Sequence, residues 1–130
     1  MKSRVLFIIL LVLTGLSKLL YAQEIVETPF ASISGKTSGE VFVSELVGQF
    51  FRVSDDNYKV VSFKLTVIKP DQTLKELEVS SEMFNKAASN QIRTAPEGTK
   101  VLIDLIVAEN QEGEAIRLAP MNFVIVKQEE

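Results

Sequence analysis

The chain has 130 residues, enough for one domain, and it contains neither cysteine nor histidine. Their absence excludes thiol nucleophiles, histidine-assisted serine hydrolysis and the common zinc sites, and it also excludes disulfides and lipid attachment through cysteine. The 17 acidic residues outnumber the 14 basic ones, which disfavours nucleic acid and anionic lipid as partners.

The first 22 residues have the order of a secretory signal peptide. Lys2 and Arg4 precede an apolar run at 5–13, and a small residue, Ala22, lies at the expected cleavage position. Because the apolar run is short for a bilayer span, we predict cleavage after Ala22 and a periplasmic or secreted product. An uncleaved anchor that runs to Leu20 is the alternative. Cleavage would remove three of the 14 basic residues and leave 11 against 17 acidic ones, a net charge of −6.

The exported part begins with a short polar lead-in, 23–28, and continues as a single predicted domain, 29–127. A glycine-bracketed loop at 35–39 separates the first two strands, and 44–46 is predicted as one helical turn. Three short strands are predicted at the start of the domain from alternating or β-forming residues: Ala31 and Ile33, Val41 and Val43, and Phe50, Phe51 and Val53.

Residues 61–67 carry the clearest strand pattern, with apolar and polar residues in alternation. We predict that Val61, Phe63, Leu65 and Val67 face the core and that Ser62, Lys64 and Thr66 face water. The predicted return strand of this hairpin, 74–80, follows a Pro-Asp turn. Its Leu77 and Val79 point inward, and its two glutamates, Glu76 and Glu78, point to water.

Residues 80–95 are predicted as the one α-helix. Ser80 or Ser81 can cap its start, and Glu82 lies in the first turn, where a negative charge is favourable. Pro96 cannot continue the helix and ends it. The predicted buried face contains Met83, Ala87 and Gln91 or Ile92.

Two further strands are predicted at 100–109 and 115–126, joined by the turn 110–114. In the second of them the inward parity changes at Ala119-Pro120, so we predict a bulge or an edge kink there. The inward residues are Ile116 and Leu118 before this point and Met121, Phe123 and Ile125 after it. Seven or so short strands with one short helix predict an all-β fold, an antiparallel β-sandwich that is Ig-like or a partly open barrel.

A single carboxylate, Asp104, interrupts the apolar run 101–107. Alternation places on the core face Val101, Ile103, Leu105 and Val107, and on the other face Leu102, Asp104, Ile106 and Ala108. An unpaired buried charge is costly, so we predict that Asp104 pairs with Arg93, which would pin the helix to the sheet, with Arg117 on the next strand, or with a backbone amide.

Two short motifs resemble ligand-binding loops but lack parts of them. The stretch 34–39 has the glycine and lysine of a phosphate loop without its upstream glycine, and it lies between predicted strands rather than before a helix. Asp55, Asp56 and Asn57 offer oxygen ligands for calcium, but the further ligands at fixed spacing are missing. We therefore predict solvated turns at both places, and no catalytic residue, no cofactor and no metal site.

Several short sequence elements follow one another along the chain. They are Pro29, Ala31, Gly35, Lys36 and Gly39; Val61, Ser62 and Phe63; Ile92 and Arg93; Gly98, Lys100, Val101 and Asp104; Gly113; and Leu118, Pro120 and Phe123. In this order they resemble the C-terminal domain of the GldM (PorM) gliding-motility and type IX secretion proteins of Bacteroidetes. The resemblance covers almost the whole exported chain. It implies a β-sandwich-like fold and protein partners. The predicted absence of enzymatic activity rests instead on the signal peptide, the strand pattern and the lack of catalytic groups.

Members of that family look like an inner-membrane helix followed by several periplasmic domains, which act together as a dimeric shaft. This sequence resembles the last domain alone, behind a signal peptide, so we expect it to bind protein partners, with a homodimer as one option, without transmitting rotation. We predict an exported, non-enzymatic interaction or adaptor domain, accessory to gliding motility or type IX secretion, with no stable membrane insertion after cleavage. The alternatives are a periplasmic module that binds a small ligand and a carboxylate-dependent hydrolase.

Overall fold

The computed structural model describes residues 28–127, and the predicted signal peptide and most of the predicted lead-in lie outside the described residues. Within this range the chain forms eight strands, one α-helix and one 3-10 helix. In chain order these are β1 (Ala31–Ile33), β2 (Ser38–Val41), the 3-10 helix (Val43–Glu45), β3 (Phe51–Val53), β4 (Lys59–Ile68), β5 (Leu74–Val79), α1 (Lys86–Arg93), β6 (Lys100–Glu109), β7 (Ala115–Leu118) and β8 (Met121–Ile125). Neither helix in 28–127 is long and apolar enough to cross a membrane.

Six strands form one main sheet with the order β2-β8-β6-β4-β5, and β7 pairs with β6 beyond the end of β8. All its pairings are antiparallel except that of β2 with β8, which run parallel. The predicted all-β sandwich is confirmed, whereas the parallel pair departs from the purely antiparallel prediction. Parallel neighbours need a long connection, and here most of the domain lies between β2 and β8.

A smaller layer, the antiparallel pair β1–β3, and the helix α1 share one hydrophobic core with the main sheet. Three aromatic rings join these parts. Phe51 of β3 and Phe63 of β4 meet edge to face with ring centroids 4.8 Å apart, and Phe84, just before α1, lies 5.8 Å from Phe51 and 5.7 Å from Phe63. Such contacts add to the free energy gained from the buried area itself, so this aromatic cluster ties the layers together.

The inner faces of β4 and β6 follow the predicted alternation at one end only. The residues buried as predicted are Phe63, Leu65 and Val67 on β4 and Val101 and Ile103 on β6. At the other end the buried residues are Val60, Ile106 and Ala108, so the predicted inward positions of Val61, Leu105 and Val107 are wrong. The cause is one β-bulge on each strand, which shifts the register and turns the following side chains over.

The α-helix begins later than predicted. It spans Lys86–Arg93, and Asn85 caps it, because the Asn85 Oδ1 accepts a hydrogen bond from the Ala88 amide at 2.9 Å. The preceding residues 80–84 are not helical, and Phe84 is buried in the aromatic cluster instead. The predicted caps Ser80 and Ser81 and the predicted start are therefore wrong. Of the predicted buried face only Ile92 is buried, together with Ala88 and Ser89 in place of Ala87.

The predicted kink near the end of the chain is confirmed. Strand β7 ends at Leu118, β8 begins at Met121, and Ala119-Pro120 lies between them outside the ladder. The side chains on both sides of the kink point inward, since the buried residues are Leu118, Met121, Phe123 and Ile125. On β5, Val79 is buried and both glutamates are exposed, also as predicted.

The loop after β1 is shorter than predicted, because β2 begins at Ser38, and Val43 belongs to the 3-10 helix rather than to a strand. The Lys36 Nζ lies 3.1 Å from Glu45 Oε2, and the Phe42 amide donates a hydrogen bond to Glu45 Oε1 at 2.9 Å. These contacts tie the loop to the 3-10 helix. The lysine of the stretch that resembles a phosphate loop therefore has an ion-pair partner within the fold.

Glu45 makes the stability of the fold depend on pH. The hydrogen bond from the Phe42 amide and the Lys36 ammonium lower the pKa of Glu45 below its ordinary value of 4.5. A carboxylate whose pKa is lowered by folding stabilises the fold above its unfolded pKa, and this contribution is lost as the pH falls through the folded pKa. We therefore expect Glu45→Gln to flatten the pH dependence of the free energy of unfolding below pH 4.5, measured by urea denaturation at a series of pH values. Lys36→Met should flatten this pH dependence in part. If the free energy of unfolding of Glu45→Gln changed with pH as steeply as that of wild type, Glu45 would not be the source of the pH dependence.

Candidate functional site

Asp104 lies on the outer face of the main sheet, the face turned away from the core. In the register of β4 and β6 it stands directly opposite Lys64. The residue is half-buried, and its Oδ1 is the one buried side-chain polar atom of residues 28–127 that has no hydrogen-bond partner. Leaving such an atom unpaired costs about 1–3 kcal/mol, so the stability of the sheet does not explain an aspartate at this position.

Leu105, the next residue, forms the bulge of β6. Its φ of 52° lies in the left-handed region, which costs an L-residue about 1–2 kcal/mol. Its side chain points to solvent and is 48% exposed. Bulges re-aim side chains, and strained backbone of this kind is concentrated at functional sites. The exposed leucine and the unpartnered oxygen of Asp104 are thus two adjacent departures from an ordinary strand.

The bulge lies beside the break between β7 and β8. The ladder pairs on either side of the break are Ile103 with Met121 and Ile106 with Leu118. Residues 104–105 and 119–120 therefore face each other without ladder pairing. Pro120 has no backbone N–H to donate. Of the two residues 119–120, only Ala119 therefore has a main-chain donor to offer the Asp104 carboxylate.

Lys64 is the cation nearest to Asp104 in the strand register, but it pairs elsewhere. Its Nζ lies 3.4 Å from Glu76 Oε2, and Glu78 stands opposite it on β5. Lys64 is thus flanked by carboxylates on both neighbouring strands. The pair with Glu76 is partly exposed and contributes little to stability, so Lys64 can turn to another carboxylate at small cost.

A groove of about 320 Å³ crosses the outer face next to Leu105. Its lining includes Ser62, Lys64, Glu78, Leu105, Val107 and Arg117. We call Lys64, Asp104, Leu105, Val107 and Arg117 the bulge surface. An exposed apolar side chain with cations on both sides matches the composition of protein contact sites better than that of a catalytic cleft.

Neither of the predicted arginine partners forms an ion pair with Asp104. Arg93 is exposed in the last turn of α1, and Arg117 is exposed on β7, opposite Val107. The ion pairs within residues 28–127 are Lys36–Glu45 and Lys64–Glu76. The structure thus brings Arg117, but not Arg93, to the same surface as Asp104.

Sequence reasoning missed Lys64 and Leu105 as members of the site. The run 101–107 is apolar at both parities apart from Asp104, so alternation gives no sign that the phase changes after the aspartate. A signal did exist for Lys64, because it was already on the predicted wet face of its strand. Pairing that strand with 100–109 would have placed it near Asp104.

The other motifs singled out from the sequence are structural turns. Asp55 Oδ1 accepts a hydrogen bond from the Asn57 amide at 2.9 Å and closes a local turn. Residues 28–127 contain no group of three or more acidic side chains that could hold a metal. A second groove, of about 530 Å³, has a mixed lining that includes Arg52, Asp56, Tyr58, Lys59 and Glu109, unlike the mostly apolar pocket that a small-ligand module would have.

The comparison with protein families matches residues 43–126 to the GldM C-terminal domain. This match covers well over half of the chain. The chain belongs to the GldM C-terminal domain family. The predicted resemblance is thereby confirmed, and membership indicates a component of the gliding-motility and type IX secretion machinery of the cell envelope. A comparison with curated proteins gave no match.

The GldM C-terminal match begins with the 3-10 helix and leaves β1 and β2 before it. Both strands nevertheless belong to the fold of this GldM-family chain, because Ala31, Ile33 and Val41 are part of its hydrophobic core. All five residues of the bulge surface lie inside the matched range. The strained, unsatisfied part of the sheet is therefore carried by the family domain itself.

Glycine at position 105 should relieve the strain of the bulge. We expect Leu105→Gly to raise the free energy of unfolding by about 0.5–1 kcal/mol, because the relief of the left-handed backbone exceeds the entropy that glycine adds to the unfolded chain. Leu74→Gly is the matched control: Leu74 is 54% exposed on β5 and is not among the residues with positive φ, so the change should lower stability by a similar amount. Urea denaturation measures both, and a loss of stability in Leu105→Gly would show that the bulge is not strained.

Proposed function

We propose that this chain is an exported, non-catalytic protein-interaction domain, an adaptor that serves gliding motility or type IX secretion. One observation carries the proposal: an exposed leucine, Leu105, is held in left-handed backbone beside the buried, unpartnered oxygen of Asp104. Both features destabilise the free domain. A partner that covers Leu105 and offers a donor to Asp104 would compensate both at once, as expected where strain belongs to a binding site.

The charges around Leu105 indicate what the partner looks like. Lys64 and Arg117 line the same groove as Leu105 and Val107, and Arg117 takes part in neither ion pair of residues 28–127. Burial of a leucine side chain that is about half exposed supplies a central apolar contact. Glu78 lines the groove as well and Lys64 is paired with Glu76, so Arg117 is the cation that favours an acidic group on the partner. Membership in the GldM C-terminal domain family supports a protein of the cell envelope in this role.

The arrangement does not favour the alternative of a carboxylate-dependent hydrolase. Glu78 and Asp104 stand in one row on the outer face, one on each side of Lys64, about 10 Å apart at two strand spacings. A pair of carboxylates at such a distance would need a water between them. Here Lys64 stands in the row between them, which suits a charged contact surface better than general acid–base chemistry.

The test compares two exposed leucines. The exported chain, carrying an affinity tag, is used to capture proteins from the envelope fraction of its own cells, and Leu105→Asn is compared with Leu74→Asn. Asparagine tolerates left-handed backbone, so Leu105→Asn removes the apolar side chain without disturbing the bulge, and Leu74 is a leucine of similar exposure on the β5 edge.

We expect one captured protein to be reduced about tenfold by Leu105→Asn, equivalent to about 1.4 kcal/mol of binding free energy, and to be unaffected by Leu74→Asn. Circular dichroism and urea denaturation must show both variants folded. Equal capture by wild type and Leu105→Asn would contradict the proposal, and so would a protein pattern that depends on Leu74 alone.

A further inference from the structure

Strand β7 has no second neighbour among the strands of residues 28–127. It pairs with β6 on one side, and β2, the strand next in the sheet, covers β8 alone. Alternate backbone N–H and C=O groups of Ala115–Leu118 therefore point away from β6, and no backbone hydrogen bond from a turn or loop of residues 28–127 reaches them. An edge of this kind is a template for an added strand.

The opposite edge of the main sheet, β5, is protected against pairing with another strand by charged side chains, and β7 is not. Strand β5 presents three exposed charged side chains, Lys75, Glu76 and Glu78, and charges on an edge strand oppose pairing with another chain. Strand β7 carries a single charge, Arg117. Its protection rests on its short length and on the proline that follows it.

The two faces of β7 differ in a way that selects a particular sequence. On the outer face Arg117 is exposed, and its register partner on β6 is the half-buried Val107. On the inner face Ile116 is half-buried and packs against the core. Side chains of an added strand would alternate between these two faces. A carboxylate would meet Arg117 on the outer face, and apolar side chains would extend the core beside Ile116 on the inner face.

We propose that the β7 edge accepts an extended segment of the protein partner as an added strand, with alternating acidic and apolar residues and a carboxylate opposite Arg117. This inference rests on the proposed function and names the way the partner is held. The outward-pointing main-chain groups of β7 provide the hydrogen bonds, and Arg117 and Ile116 provide the selection.

A peptide of alternating glutamate and valine, blocked at both ends, is the probe, and a lysine–valine peptide of the same length is its control. Each is titrated into the ¹⁵N-labelled exported chain and followed by NMR. We expect the glutamate–valine peptide to shift the amide signals of 115–118, to slow their hydrogen exchange, and to bind about fivefold to tenfold more tightly than the control, as opposite charges across a strand pair require. Arg117→Glu should reverse the preference, and Lys75→Glu on β5 should leave it unchanged.

Equal affinity for the two peptides, absence of binding, or shifts at β5 instead of β7 would overturn the inference. Concentration-dependent self-association that Arg117→Glu abolishes would also overturn it, because a second copy of the chain would then be the occupant. The two proposals fail separately. Peptide binding at β7 with no effect of Leu105→Asn on capture would remove the role of the bulge surface, and the reverse result would remove strand addition alone.

Discussion

Phe63→Ala is expected to lower the free energy of unfolding by about 3–5 kcal/mol, the range for a buried phenylalanine truncated to alanine. Phe63 is 3% exposed in the middle of β4 and contacts both Phe51 and Phe84 edge-on or tilted. Its removal leaves a cavity where the main sheet, the β1–β3 pair and the segment before α1 meet. Because a domain of this size has only about 5–15 kcal/mol of stability, the variant should lose a large part of it.

Urea denaturation followed by circular dichroism measures this loss, and Phe50→Ala is the matched control. Phe50 is 55% exposed, so its truncation should cost less than about 1 kcal/mol. A loss of similar size in both variants would mean that the aromatic cluster does not join the layers. A second unfolding transition in Phe63→Ala alone would mean that the small layer and the main sheet unfold separately.

Asp104→Val is expected to raise the free energy of unfolding by about 1–2 kcal/mol, an unusual direction for a change in a central strand. The substitution removes the buried oxygen that has no partner, and valine is a β-former suited to a strand. Lys64 stays paired with Glu76 at 3.4 Å and loses no contact. The change therefore removes an unfavourable group without leaving a new one.

The control for this prediction is Asp104→Asn, which keeps a polar oxygen of the same shape and should change stability by less than about 0.5 kcal/mol. A loss of stability in Asp104→Val would contradict the prediction and show that the carboxylate has a donor in solution. Double-mutant cycles of Asp104→Asn with Arg117→Met and with Arg93→Met would then identify it. The structure leads us to expect a coupling near zero for Arg93, which is exposed at the end of α1.

The features of the fold that were predicted correctly are those that depend on residues close in sequence. The alternation from Phe63 to Val67 has one apolar parity, so its core face was predicted correctly, whereas Thr66 on the other face is buried against the prediction. The change of inward parity at Ala119-Pro120 could be predicted from the sequence, because proline interrupts the hydrogen-bond ladder of a strand. The start of α1 could not be predicted, because Ser80, Ser81 and Asn85 are all good caps and only the burial of Phe84 in a distant aromatic cluster decides between them.

The candidate site was harder to predict than the fold, for a physical reason. Apart from Asp104, every residue in the run 101–107 is apolar. The local sequence therefore does not show which side chains face the core or where the bulge at Leu105 lies. The pairing of β2 with β8 joins residues that are far apart in the chain, and it alone determines that β7 is left as an open edge. Asp104 was recognised as unusual from the sequence, but its neighbours depend on strand order.

We infer that the bulge surface is kept for binding at the expense of stability. Asp104→Val tests it most directly when its free energy of unfolding and its capture of the envelope partner are measured on the same preparation. We predict that the variant is more stable than wild type by about 1–2 kcal/mol and captures the partner about tenfold less well. A variant that is more stable and captures the partner as well as wild type would contradict this inference, because the unpartnered oxygen of Asp104 would then serve no binding role.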